Sequence, residues 1–264
     1  RFVSTADGEP RQVIDAPEPL LLERAQLDGT VVGRDAALER ELNLASRRPF
    51  DLEKGPLVRA HLWSVAAEEH VLLVTMHHAI SDGWSLDLVM DEFARLYAEH
   101  AGGPAAALAA LPVQYADYAV WQRAWLEGGE QARQLAHWKQ TLSGECPMLE
   151  LPSDRPRPLQ PTFRGDNHRF DLEPQLTLRL RELCAQAQLT LFPALLGAFA
   201  VVASQRSQRA RFRVGTDSAG RNQLELEGVV GFFVNQLVLE LFVEGEAPAR
   251  DWLGAVQAHL LEAL

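Results

Sequence analysis

Five prolines fall within residues 147–161 (PMLELPSDRPRPLQP). Proline locks φ and offers no backbone N–H, so neither a helix interior nor a central strand tolerates that density. The stretch reads as an extended linker, and it separates two sets of mixed helices and strands. A chain of 264 residues suits one large domain or two modest ones with a sizeable core. With 47% apolar and 23% charged residues, disordered and coiled-coil classes drop out. No apolar run reaches the ~18 residues of a membrane span, and no signal-like segment opens the chain. The net charge of −11 argues against nucleic acid as a partner, because phosphate binding needs clustered cations. Cys146 and Cys184 lack CxxC spacing and are too few for a disulfide scaffold, so a reduced, cytoplasmic setting is expected.

Ahead of the linker, residues 34–48 carry Ala37, Leu38, Leu42 and Ala45 at helical spacing. Residues 58–65 and 70–76 predict an antiparallel hairpin. The second strand is apolar at nearly every position, which predicts a central strand covered on both faces. A helix is expected over 86–99 with Ser85 as its cap, then helices over 115–127 and 130–142 separated by Gly128 and Gly129. Beyond the linker the pattern predicts a strand near 163–171 and helices over 175–188 and 191–205. Thr190 is the expected cap of the latter, with Pro193 in its first turn. Strands over 211–216 and 229–243 follow, then a final helix with Trp252, Val256 and Leu260 on one face.

The informative constellation is His77-His78-x3-Asp82-Gly83, at the end of an apolar strand and just before a helix. Loops after strands commonly display reactive side chains. Adjacent residues in extended backbone point to opposite faces, so one histidine can face a cleft while the other packs inward. Asp82 can hold a ring nitrogen or bind an arginine, and Gly83 permits a sharp turn or a close ligand approach. Against a catalytic histidine stand a buried structural pair with a helix-capping Asp, and a metal site on His77, His78 and Asp82. Adjacent histidines rarely converge on one ion, and no metal is expected. Neither a GxSxG elbow nor a phosphate loop is present, since Gly215, Gly220 and Gly228 match neither pattern.

MHHAISDGWS (76–85) resembles the signature of the condensation domains of nonribosomal peptide synthetases, within the chloramphenicol acetyltransferase-like superfamily. Four other segments are similar to that family in the right order: PFDLEKGPLVRA (49–60), YADYAVW (115–121), LELPSDRPRP (149–158) and GTDSAGRNQLELEGVVGFFVNQLVLE (215–240). The resemblance spans nearly the whole chain. Gly220 departs from it, standing where close relatives often have asparagine.

The resemblance implies an α+β fold, a two-layer sandwich built of chloramphenicol acetyltransferase-like lobes. Residues 1–155 would form the rear of the N-lobe with the HHxxxDG motif, and 156–264 the front of the C-lobe. Blocks of the family expected before Arg1 and after Leu264 are not in the sequence, so the chain reads as a central piece of the domain. The implied activity is amide-bond formation between a donor thioester and an acceptor amine. Both substrates ride on phosphopantetheine arms of carrier proteins, with an adenylation domain adjacent and no cofactor bound by the domain itself. Carried over residue by residue, His78 is the active-site histidine. His77 is structural, Asp82 is a structural carboxylate with Arg221 as candidate partner, and Gly83 lines the substrate tunnel with its backbone. Trp84, Ser85 and Asn235 are further candidates for the tunnel wall. The aromatic residues Tyr115, Tyr118, Trp121 and Trp125 could line the tunnel as well, but their helical spacing favours ordinary core. The DGWS ending is similar to the class taking an L-configured donor rather than to epimerising relatives. A free-standing acyltransferase using coenzyme A or an acyl carrier, and a non-catalytic recruitment domain of the same fold, are the competing readings.

Overall fold

A computed structural model describes all residues except 28–32, 164 and 244. Its elements run β1 (Phe2–Ser4), β2 (Pro10–Gln12), β3 (Leu22–Gln26), α1 (Arg34–Arg47), β4 (Val58–Ala66), β5 (Glu69–Met76), α2 (Gly83–His100) and α3 (Tyr115–Trp125). After these come α4 (Gln131–Thr141), α5 (Pro174–Ala187), α6 (Leu191–Ser207), β6 (Arg211–Ser218), β7 (Asn235–Phe242) and α7 (Ala249–Ala263). The chain divides into two compact units, Arg1–Ala119 with Arg221–Phe233, and Val120–Gly220 with Val234–Leu264.

In the first unit β1 and β2 form an antiparallel pair, and β3, β4 and β5 form a sheet in that order. β3 runs parallel to β4, with Leu22 opposite Ala60, and β4 runs antiparallel to β5, with Val58 opposite Met76. The expected hairpin is therefore present, but β4 rather than β5 is the middle strand. Ala60, Trp63 and Val65 of β4 are buried, whereas the apolar side chains of β5 are only half-buried. Apolar content along β5 misled here, because an apolar run does not say which strand gains neighbours on both edges.

α2 begins at Gly83, three residues before the expected start at residue 86. The cap is Asp82, extended at φ −127° and ψ −177°, whose carboxylate accepts from the Ser85 amide, so Ser85 is not the cap. Both hydroxyl and carboxylate residues cap well, and sequence does not rank two of them within one turn. Gly128 and Gly129 do part the two helices, since Gly129 leaves helical geometry at φ 114° and ψ −13°. Residues Leu126–Glu130 form a π-helical turn that joins α3 to α4, with a kink at Gly129.

The second unit is centred on the β6–β7 pair. Leu237, Leu239 and Leu241 alternate inward along β7, and Leu239 and Leu241 meet Leu196, Ala200 and Ala203 of α6, Phe212 of β6 and Val256 of α7. Burial of a side chain of this size contributes about 1.5–3 kcal/mol. Thr190 precedes α6 in extended conformation without a capping hydrogen bond. Its own amide instead donates to Gln257 Oε1 at 2.9 Å. Gly220 sits at φ +67°, in the left-handed region that glycine enters at least cost.

Two expected strands are corrected. The described residues of 163–171 form no strand, and Phe163 and Phe170 are exposed, since no neighbouring strand offers them a ladder. The strand expected over 229–243 begins only at Asn235. Residues 229–233 are irregular because their backbone groups bond to side chains instead, as described next.

Among the described residues no single helix is long and apolar enough to cross a membrane.

Candidate active site

The β4–β5 ladder ends where the histidines begin. The His77 amide still reaches Leu57 O at 2.9 Å, and the next residue leaves the sheet in a turn closed by Ile80 N on His77 O at 3.0 Å. The two rings then separate. His77 is half-buried, its ring perpendicular to that of Phe50 with centroids 5.8 Å apart, and its Nδ1 accepts the Ala79 amide at 3.0 Å. An acceptor Nδ1 leaves the proton of neutral His77 on Nε2.

His78 is exposed, and its Nδ1 lies 2.6 Å from Ser81 O. A carbonyl oxygen only accepts, so Nδ1 carries the proton and the lone pair of the neutral ring is on Nε2. The Phe232 ring stands nearly perpendicular to the imidazole, at a centroid distance of 4.9 Å and 72°.

Beneath this loop lies a fully buried ionic cluster. Asp82 and Arg221 pair at 3.1 Å, with side-chain exposures of 0% and 1%. Burial pushes the Asp82 carboxyl up. Hydrogen bonds from the Ser85 hydroxyl and amide, the Phe233 amide and Arg221 outweigh that push and hold it below the usual carboxylate value. Both terminal nitrogens of Arg221 are spent here. Nη1 donates to Leu226 O and Val229 O at 2.6 Å each, and Nη2 reaches both Asp82 oxygens and Ser85 Oγ. Its guanidinium also lies 4.1 Å over the Phe233 ring.

Ser85 is fully buried and acts as a hydrogen-bond hub. Its oxygen accepts from the Gly231 amide and from Arg221 at 3.0 Å each, and lies 2.7 Å from Asp82 Oδ1 and 2.8 Å from Gly231 O. These bonds, with Phe233 N on Asp82 Oδ2 at 3.1 Å, fasten residues 231–233 to the start of α2. They use the very groups a β-ladder would need, which is why that segment is not a strand.

Gly83 occupies the first position of α2, where an added Cβ would meet nothing within 4 Å and φ is not positive. The turn itself does not demand glycine. Trp84 is 44% exposed and donates Nε1–H to Glu227 O at 2.9 Å. It borders a groove of about 540 Å³ with Asp87, Leu88, Asp91, Glu227 and Gly228. Asn235 begins β7 opposite Ser218 in the second unit and is exposed.

Sequence reasoning overlooked Phe232 and Gly231, and favoured the core over the tunnel wall for Tyr115 and Tyr118. Both tyrosines do pack against the cluster of Leu226, Val229 and Phe233. The Tyr115 hydroxyl also donates to Phe232 O at 2.7 Å, and burial raises its pKa. The paired phenylalanines after Gly231 were the visible signal, but nothing in the spacing says which of them faces a histidine over a hundred residues away. Trp121 and Trp125 stack on each other at 5.5 Å and stay partly exposed. Among the described residues no three His, Cys, Asp or Glu side chains converge as a metal site.

The chain matches the Condensation domain family over residues 1–264. It is 42% identical over 258 residues to one of the linear gramicidin synthase proteins of Brevibacillus parabrevis, covering 97% of this chain and 5% of that protein. To the chondramide synthase cmdD of Chondromyces crocatus it is 38% identical over 265 residues, covering 99% and 7%. Among solved structures, the X-domain in its complex with OxyB from teicoplanin biosynthesis superposes with TM-score 0.79 at 25% identity, over 99% of this chain and 57% of that one. The condensation domain of the Monacolin K polyketide synthase MokA superposes with TM-score 0.80 at 22% identity, over 99% and 60%, and shows the shared α+β fold. The chain thus spans a small fraction of these curated relatives and somewhat over half of these solved chains. On the match across all its residues, and on relatives near 40% identity, the chain belongs to the condensation-domain family.

Proposed function

We propose that this domain joins two carrier-bound substrates through an amide bond. The α-amine of an acceptor aminoacyl thioester attacks the carbonyl of a donor acyl or peptidyl thioester. A C–N bond forms, the C–S bond breaks, and the donor arm leaves as a thiol. Both substrates ride on phosphopantetheine of carrier proteins, so the partners are a donor and an acceptor carrier domain, with an adenylation domain beside them in a cytoplasmic synthetase. In this reading residues 1–155 belong to the N-lobe and 156–264 to the C-lobe, and Gly83 and Trp84 line the substrate path.

His78 carries the reading. Its ring is exposed at a strand end, and with Nδ1–H committed to Ser81 O, only Nε2 is open to a substrate. That lone pair accepts the proton of the attacking amine, and the proton passes to the departing sulfur. A free α-amine of pKa about 7.7–8.0 is substantially available near neutrality. Holding it against the thioester is worth roughly 7–11 kcal/mol, and base assistance adds about 10²–10⁴-fold. Asp82, Ser85 and Arg221 touch no substrate in this scheme and keep the loop in place.

Single-turnover transfer from a loaded donor carrier to a loaded acceptor carrier tests it, with thermal melts alongside. His78→Ala is expected to lose about 10²–10⁴-fold in rate at unchanged melting temperature. His77→Ala, which strips an acceptor from the Ala79 amide, is expected mainly to melt earlier. Near-normal transfer by His78→Ala beside a folded, inactive His77→Ala reverses the two roles. A coenzyme A thioester accepted in place of the donor carrier points to the free-standing acyltransferase instead. The likeness to a teicoplanin X-domain solved with OxyB favours a second reading, a protein-recruiting domain. An intact HHxxxDG motif weighs against it, and absence of transfer with any loaded pair supports it.

A further inference from the structure

Residues 231–233 are held by backbone and ring contacts of several kinds, more than a connecting segment needs. Gly231 is bound through N and O to Ser85, and Phe233 N to Asp82. Between them, the Phe232 carbonyl takes the Tyr115 hydroxyl at 2.7 Å. Tyr115 also lies over Gly231 so closely that a Cβ there would collide with its ring. The backbone of Phe232 is therefore fixed on both sides and at its own carbonyl. Its side chain is 39% exposed, unlike that of buried Phe233, and its ring meets His78 nearly perpendicular at 4.9 Å.

We infer that Phe232 is a positioning residue for His78: its ring holds the imidazole in the orientation that keeps Nδ1–H on Ser81 O and Nε2 open, and Tyr115 sets the ring through the Phe232 carbonyl. The His78 ring needs such a support. It leaves the sheet in a turn, is exposed, and has one hydrogen bond to fix two torsions. A half-turn of the ring about χ2 exchanges the positions of its nitrogens and carbons, and with them the group presented to a substrate. A perpendicular phenyl ring penalises that rotation through shape and quadrupole at once. Leucine at this position would supply bulk without the aromatic face, and tyrosine would keep the face.

The inference rests on His78 being the group that meets the acceptor amine, so the test reads the ring separately from the reaction. Nitrogen-resolved NMR of the His78 imidazole in the full-length protein reports which nitrogen carries the proton. The same preparations are assayed for single-turnover transfer and melting. In Phe232→Leu the His78 signals are expected to shift toward a mixture of tautomers, and transfer to fall about 3- to 10-fold, the worth of one aromatic pair. Melting should be unchanged, and Phe232→Tyr should restore both signals and rate. Tyr115→Phe, which keeps the ring over Gly231 and drops only the hydroxyl, should move the His78 signals in the same direction. Unchanged His78 signals in Phe232→Leu overturn the inference, whatever the rate does. Altered signals with undiminished transfer leave Phe232 as the support of the ring and instead remove His78 from proton transfer, which refutes the functional reading.

Discussion

Replacing Asp82 with alanine should damage stability far more than chemistry. The carboxylate is fully buried and accepts from the Ser85 amide at 2.8 Å, the Ser85 hydroxyl at 2.7 Å, the Phe233 amide at 3.1 Å and Arg221 at 3.1 and 3.3 Å. Truncation strands the amides of Ser85 and Phe233, while the Ser85 hydroxyl still reaches Gly231 O and Arg221 Nη2 still reaches Ser85 Oγ. Arg221 keeps its bonds to Leu226 O and Val229 O but loses its counter-charge in a buried place. Loss of one member of a buried pair costs about 3–5 kcal/mol, and the lost cap of α2, worth about 0.5–2 kcal/mol alone, is contained in that figure rather than added to it. At roughly 2–4 °C per kcal/mol for a chain of this size, melting should drop by about 6–20 °C. Urea unfolding at pH 7 measures the loss directly. Asp82→Asn, which keeps an acceptor for the Ser85 amide but no charge, should fall between wild type and Asp82→Ala. The sign with pH follows from the lowered carboxyl. Its contribution is fully present above the unfolded value of about 3.9 and is lost as pH falls through the lower folded value, so acid should shrink the gap between wild type and Asp82→Asn. A stable Asp82→Ala protein that has lost only transfer would refute this reasoning and place Asp82 in the reaction.

Two further outcomes test neighbouring parts of the structure. Gly231→Ala drives a methyl into the Tyr115 ring and to 2.9 Å from the Phe233 ring, so it should destabilise by about 1–3 kcal/mol, read in urea melts, and Gly231→Ala combined with Tyr115→Ala should recover part of that loss. In the second unit, Glu240 on β7 meets Arg211 Nε at 2.8 Å and Arg213 Nε at 2.9 Å across the β6–β7 pair. Burial raises the Glu240 carboxyl but the two arginines lower it further, so Glu240→Gln should cost about 1 kcal/mol at pH 7, a difference present above the unfolded value of about 4.3 and lost as pH falls through the lower folded value.

What a linear chain reveals is what repeats locally. Helical spacing located α1, α2, α5, α6 and α7 to within a few residues, and two apolar runs flanking a short polar turn located β4 and β5, because both signals depend on side chains a few positions apart. The motif His77-His78-x3-Asp82-Gly83 was legible as chemistry for the same reason: seven consecutive residues leave a strand and enter a helix together. Everything that depends on distant parts of the chain meeting was decided only by the tertiary structure. β4 is central because β3 pairs with it in parallel across α1, a partnership invisible in the apolar run of β5. Asp82 rather than Ser85 caps α2 because Gly231 and Arg221 claim the Ser85 hydroxyl from nearly 140 positions away or more. Residues 229–233 escape the strand their composition favours because Ser85, Asp82 and Arg221 take their backbone groups. And Phe232 faces His78 while Phe233 lies under Arg221, a division between two identical neighbours that only the packing of a buried charge against a backbone segment could make.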